Sequence, residues 1–99
     1  MEKEFDLGQE TMEFYEELIE KYSQVKKYKY ALHYCNMALK CDPKDVDLLY
    51  TRVLILYKDY KFHEALIALE LVNKNDVDKL YEKDTEILFY SIRSILLYL

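Results

Sequence analysis

Residues 29–43 read KYALHYCNMALKCDP, and this stretch decides how the chain is expected to fold. Shifted by 34 residues, its central part YALHYCNMAL (30–39) aligns with EALIALELVN (64–73), so that Ala31 meets Ala65. A period of about 20 to 50 residues is typical of stacked supersecondary units. The sequence therefore predicts repeated units of 34 residues.

Apolar residues recur at helical spacing inside each unit, as in the stripe formed by Phe14, Leu18 and Tyr22. A helix is expected to begin near Asp42-Pro43, because Asp caps helices and Pro suits the first helical position. The pattern predicts five helices joined by short connections into antiparallel pairs. Their expected positions are the stripes at 14–22 and 28–39, and then about 42–59, 62–72 and 77–99.

Composition limits the class of protein. With 99 residues, 52% of them apolar, the chain is long enough for one domain, 1–99, with its own core. A single Gly and a single Pro favour helices over a strand-rich fold. The net charge of −5 argues against a nucleic-acid partner, which would require a basic patch. We therefore expect a soluble all-α domain.

Neither end of the chain predicts a membrane segment. Residues 1–10 contain no apolar run after their charges, so we expect no signal peptide. The most apolar stretch, 87–99, has Arg93 at its centre and is shorter than the roughly 18–20 residues that span a bilayer. Two cysteines without a secretory signal suggest free thiols in a reducing compartment, and the expected location is the cytoplasm.

The 34-residue units resemble tetratricopeptide repeats, which are helix–turn–helix units with a known pattern of aromatic, Leu and Ala positions. The first unit spans 12–45 and the second 46–79, followed by a C-terminal helix, 77–99. The resemblance implies an α-α superhelix of two repeats. Residues that match the family pattern are Tyr15 (in place of Trp), Leu18, Tyr22, Ala31, Ala38 and Pro43 in the first unit, and Leu49, Leu56, Ala65, Leu69 and Val72 in the second.

Several positions depart from the family pattern. Cys35 replaces an aromatic residue, and Arg52 stands where the family usually has Leu. The glycine at which paired helices approach is replaced by Ile19 and Val53. The turn glycine is replaced by Lys26 and Tyr60, where a residue with a side chain is expected to be strained.

Four residues invite a catalytic or metal-binding interpretation: His33, Cys35, Cys41 and His63. The two cysteines are six residues apart and diverge around a helix, and neither histidine has a partner at zinc-ligand spacing. A nucleophilic cysteine also requires a base held by a third group, which the sequence does not supply. We therefore expect no catalytic residue, no metal and no cofactor, and we expect Cys35 to lie in the core.

Acidic residues dominate the first helix, since residues 1–20 hold eight acids and one Lys. Two interpretations remain open, a solvated face and a binding groove. In the family, the first helix of each pair lines a concave groove, and the resemblance carries this role onto ten positions of this chain. The predicted peptide-binding residues are Glu13, Glu16, Glu17, Glu20, Asp47, Tyr50, Thr51, Leu54, Tyr57 and Lys58.

The predicted groove favours a particular kind of partner. Co-chaperones of the family hold a C-terminal carboxylate with Lys and Asn, but the first unit has Glu16 and Glu20 at those positions and Thr51 follows in the second. An acidic tail would be repelled, so we expect a basic and apolar peptide or helix. Tyr50, Leu54 and Tyr57 would hold its apolar residues.

Eleven tyrosines are another unusual feature. Tyrosine combines an apolar ring with a polar tip and suits both helix seams and contact surfaces. Tyr15, Tyr22 and Tyr34 are expected in seams. Tyr50, Tyr57 and Tyr81 are the candidates for contact with a partner.

The last helix is apolar nearly all round from Ile87 to Leu99, whereas a terminal repeat helix should have a polar outer face. Either the natural chain continues with another helix, or residues 87–99 bury this face in a homodimer. The sequence thus predicts a non-catalytic protein-interaction module or scaffold. The alternatives are a self-assembly unit and a regulatory appendage of a larger enzyme or chaperone complex.

Overall fold

The computed structural model describes residues 7–98, with side chains from Thr11 onward. Expectations about residues 1–6 and about Leu99 concern positions outside this range. Within it the chain forms five helices, as predicted: α1 (Leu7–Gln24), α2 (Tyr28–Cys41), α3 (Val46–Lys58), α4 (Phe62–Asn75) and α5 (Glu82–Leu97).

Each helix packs mainly on the next one in the chain, α1 on α2, α2 on α3, α3 on α4 and α4 on α5. The Cα atoms extend over 54 × 32 × 16 Å, so the helices form an elongated layer. No helix of the described range is long and apolar enough to cross a membrane. All-α architecture with sequential packing is therefore confirmed.

Small side chains of α2 and α4 lie in the core. Ala31, Cys35 and Ala38 of α2 and Ala65 of α4 are completely buried. Ile19 and Val53, at the positions where the resemblance would place packing glycines, are also buried. Cys35 is thus a core residue, as predicted. Each large apolar side chain buried around them, such as Leu49, contributes about 1.5–3 kcal/mol to the free energy of unfolding.

The turns after α1 and α3 have the same backbone. Lys26 and Tyr60 both have φ 62°, the left-handed region expected for a replaced turn glycine. The Lys27 N–H donates to the Tyr22 carbonyl at 2.8 Å, and the Lys61 N–H donates to the Leu56 carbonyl at 2.9 Å. Each turn therefore closes the preceding helix and starts the next one within three residues.

Three predicted helix bounds were wrong. The third helix begins at Val46 rather than at Asp42-Pro43, because the Asp45 carboxylate accepts hydrogen bonds from the Asp47 and Leu48 N–H groups and caps it. The fourth helix continues past Val72 to Asn75. The fifth begins at Glu82, five residues after the predicted start.

The cause of the late start of α5 lies in the preceding turn. Lys79 has φ 57°, which a right-handed helix excludes. The buried Asp76 carboxylate accepts from the Leu80 N–H at 2.8 Å and from the Tyr81 N–H at 2.7 Å. These bonds hold residues 76–81 as a turn.

Candidate binding groove

Helices α1 and α3 enclose a cleft of about 300 Å³. It contains four of the ten predicted binding residues, Glu16 and Glu20 from α1 and Asp47 and Thr51 from α3. Ile19, Ser23 and Leu48 complete its lining, and we call it the α1–α3 cleft. Three carboxyl side chains and an apolar floor thus converge on one surface depression.

Helix geometry explains this grouping. Glu16 and Glu20 are four residues apart, as are Asp47 and Thr51, and residues at this spacing lie above one another on a helix face. The Asp45 cap fixes where α3 begins and so places Asp47 in its first turn. The Thr51 hydroxyl donates to the Asp47 carbonyl at 2.8 Å, which orients the Thr51 side chain along the helix.

A pair of tyrosines lies beside Asp47. The Tyr81 hydroxyl donates a hydrogen bond to the Asp47 carboxylate. The rings of Tyr50 and Tyr81 stack with centroids 4.4 Å apart and planes 18° apart. This bond and this stack attach the turn before α5 to the face of α3 that also lines the cleft.

Both phenols of this pair are held in their protonated form. The hydrogen bond to Asp47 is the main cause that raises the pKa of Tyr81 to about 12, with burial adding to it. Burial, and then the charge of Asp84, raise the pKa of Tyr50 above its ordinary value. At neutral pH the two side chains are therefore uncharged aromatic surfaces with hydrogen-bonding tips.

The other predicted residues do not line the cleft. Glu13 and Glu17 are exposed on α1, and Lys58 is exposed at the end of α3. Leu54 is half-buried. Tyr57 is half-buried as well, and its ring packs edge-on against Phe62 at 5.7 Å between centroids. The Tyr57 ring therefore packs in the contact between α3 and α4.

The three tyrosines expected in seams, Tyr15, Tyr22 and Tyr34, are found there. Tyr22 and Tyr34 stack with centroids 5.8 Å apart, and Tyr15 lies 6.2 Å from Tyr34. All three rings are half-buried against the core. They fill the contact between α1 and α2 and leave the acidic face of α1 to solvent.

A second and larger cavity, of about 530 Å³, was not predicted. It lies between α2, α3 and α4 and is lined by Leu32, Asn36, Arg52 and Ile67, among others. We call it the Arg52 groove. The signal in the sequence was Arg52 itself, a charged residue at a position where the repeat pattern has Leu.

The four residues considered for catalysis or metal binding, His33, Cys35, Cys41 and His63, are either buried in the core or exposed on the surface. Burial raises the pKa of the Cys35 thiol to about 11, and its S–H donates to the Leu48 carbonyl at 3.5 Å. Cys41, His33 and His63 are exposed. In the part of the chain that the structure describes, no three His, Cys, Asp or Glu side chains group so that they could hold a metal ion.

Comparison with protein-family models, with curated proteins and with solved structures finds no match to this chain.

Proposed function

We propose that this chain is a non-catalytic protein-interaction module that holds a basic and apolar peptide or helix across α1 and α3. The observation that carries the proposal is the convergence of Glu16, Glu20 and Asp47 on the α1–α3 cleft, beside the Tyr50–Tyr81 stack. Carboxylates around a partly apolar depression favour Lys or Arg side chains on a partner and repel acidic ones. The stacked rings offer apolar contact area at low entropic cost.

We also propose that the five helices are a tetratricopeptide-like solenoid of two repeats and a further helix. Helices α2 and α4 begin and end 34 residues apart, at Tyr28 and Phe62 and at Cys41 and Asn75. The turns before them share their φ values and hydrogen bonds. In such a solenoid the first helices of successive pairs, here α1 and α3, line one surface, which is where the cleft lies. With both thiols free, the cytoplasm remains the proposed compartment.

The test is a charge reversal in the cleft. Basic amphipathic peptides selected from a display library on the wild-type chain are titrated against the double variant Glu16→Lys/Glu20→Lys. Loss of the carboxylates should weaken binding by at least about tenfold at low salt, and the remaining affinity should depend less on salt. Unchanged affinity and salt dependence would overturn the proposal.

A matched control comes from the same helix. The double variant Glu13→Lys/Glu17→Lys makes the same change of charge on α1 but outside the lining of the cleft. It should lower affinity much less than the cleft variant. An equal loss in both variants would mean that the acidic surface attracts cations in general, without a site.

Self-assembly is a second candidate, favoured by the outer face of α5. Ile87 is 64% exposed, Tyr90 61% and Leu97 75%, and these residues follow one side of the helix. A second copy of the chain could cover them. Sedimentation equilibrium distinguishes the candidates, since a clean monomer at micromolar concentration would exclude self-assembly as the main role.

A further inference from the structure

The guanidinium of Arg52, in the Arg52 groove, has an incomplete set of hydrogen bonds among the described residues. The Nε of Arg52 is buried and, among the described residues, has no hydrogen-bond partner. The Nη1 of the same guanidinium donates to the Asn36 Oδ1 at 3.3 Å. A buried donor without an acceptor carries the cost of its lost hydration, so an acceptor supplied by a ligand would restore a lost interaction.

Apolar side chains surround this donor. Leu32 and Leu56 line the groove from α2 and α3, and Ile67 and Leu71 line it from α4. Ile67 is 68% exposed and Leu71 37%, and their spacing of four residues puts them on one edge of α4. Exposed apolar residues at helical spacing along a groove suit the apolar face of a docked helix.

The guanidinium determines what the docked helix must carry. Nη1 is engaged by Asn36, and no hydrogen bond among the described residues occupies the edge formed by Nε and Nη2. This edge is therefore the one left for a ligand's acceptor. That edge holds both oxygens of a carboxylate through two parallel N–H···O bonds, which a single carbonyl oxygen cannot match. Glu64 and Glu70 also line the groove, but both side chains are exposed and neither bonds to Nε.

We propose that the Arg52 groove binds a helix of a partner protein that places one Asp or Glu between apolar residues. The carboxylate pairs with the Nε edge of Arg52, and the apolar residues cover Ile67 and Leu71. This surface is separate from the α1–α3 cleft. Arg52 follows Asp47 by five residues, which is about 140° around α3. The chain would then bind a basic partner on one face and an acidic-apolar helix on the other.

The test is a parallel selection from a display library of amphipathic helical peptides in which one position between two leucines is randomised. One arm uses the wild-type chain and the other uses Arg52→Leu. On the wild-type chain, Asp and Glu should be enriched at that position at least about tenfold over the Arg52→Leu arm. No enrichment, or the same enrichment in both arms, would overturn the proposal.

The selected peptide then permits a direct observation of the bond. The chain has two arginines, Arg52 and Arg93, so its NMR spectrum contains two side-chain Nε–H signals that one variant assigns. The peptide should shift the Arg52 signal, and its Glu→Gln or Asp→Asn form should bind about tenfold more weakly without that shift. A shift produced by protein concentration alone would show that a second copy occupies the groove, and would overturn the proposal.

Controls separate a lost bond from a lost fold. Arg93→Leu removes the same charge outside the groove and should leave the affinity unchanged. Arg52→Lys keeps the charge but removes the two-pronged edge, and should lose most of the preference for the carboxylate even if Arg52→Leu does not fold. Glu16→Lys/Glu20→Lys should bind this peptide as the wild-type chain does, which keeps this test independent of the one for the cleft.

Discussion

The junctions after α2 and α4 begin in the same way and end differently. At each, the last turn closes through the N–H of an aspartate, Asp42 to the Ala38 carbonyl at 3.1 Å and Asp76 to the Val72 carbonyl at 2.9 Å. The carbonyl of each aspartate then accepts from the N–H three residues on, at 3.2 and 3.1 Å. Up to this point the two junctions are equivalent at an offset of 34 residues.

Their side chains then take different roles. Asp42 is exposed, and Asp45 caps α3 with φ −71°. Asp76 is buried and binds two later N–H groups, and Lys79, which corresponds to Asp45, has φ 57° and caps nothing. The offset alone would start α5 at residue 80, but it starts at Glu82. The position of the bonding carboxylate thus decides where the next helix begins.

The strongest way to break the second junction is to remove its carboxylate. Asp76→Ala removes a buried carboxylate and leaves the Leu80 and Tyr81 N–H groups without their charged acceptor, which should lower the free energy of unfolding by about 2–3 kcal/mol. Urea denaturation followed by circular dichroism measures this. Asp42→Ala, at the equivalent position, should change stability by less than about 0.5 kcal/mol. Equal losses would refute the difference between the two junctions.

The first junction depends on its cap. Asp45→Ala removes the acceptor of the Asp47 and Leu48 N–H groups and should destabilise the chain by about 1 kcal/mol. Asp45→Asn keeps a capping oxygen and should retain most of that stability. If the Ala and Asn variants unfold at the same urea concentration, the cap does not stabilise α3.

The left-handed residue of the second junction allows a stabilising change. Lys79→Gly relieves a positive φ and should raise the free energy of unfolding by about 0.5 kcal/mol after the greater entropy of the unfolded chain is included. Glu70→Gly, in the interior of α4, should instead lower it by about 1 kcal/mol. A loss of stability in Lys79→Gly would contradict the conformation of this turn.

The smallest expected effect concerns pH. The hydrogen bond to Asp47, with burial as a further cause, raises the pKa of Tyr81 from 10.0 to about 12, so the folded chain holds this proton more tightly than the unfolded chain. The contribution of the bond to stability is therefore complete below pH 10 and is lost as pH rises through about 12. Tyr81→Phe should show a shallower fall of stability across that window. If the stability of both proteins falls equally steeply with pH, the bond is contradicted. The Cys35 thiol, whose pKa is also raised, is present in both proteins and therefore does not change the difference between them.

The helices were predictable because their apolar stripes depend only on local periodicity. The starts of α2 and α4 at Tyr28 and Phe62 follow from it. The junctions were not predictable in the same way. Asp42 and Asp45 are both suitable caps for α3, and which of them caps it depends on which carboxylate reaches the free N–H groups. The late start of α5 depends likewise on the burial of Asp76, a property of tertiary packing.

The two candidate sites also differ in how far the sequence could predict them. Glu16, Glu20, Asp47 and Thr51 are among the groove positions that the resemblance to tetratricopeptide repeats implied, and the structure groups them in one cleft. Their binding role stays a prediction. The bond from Tyr81 to Asp47 depends on the length of the second junction. The Arg52 groove is formed by three helices together, which the sequence does not reveal. The sequence showed only that Arg52 stands where the repeat pattern would have Leu.

The sequential packing of the five helices has a consequence for folding. Because each helix meets its neighbour across a connection of a few residues, native contacts form between segments that are close in the chain, which favours rapid folding. Stability is distributed unevenly, since α3 buries five residues between two neighbours and α5 buries only Thr85 and Ile92. Local opening is therefore expected to begin at α5, and the part of the molecule built around α3 should be the last to lose its structure.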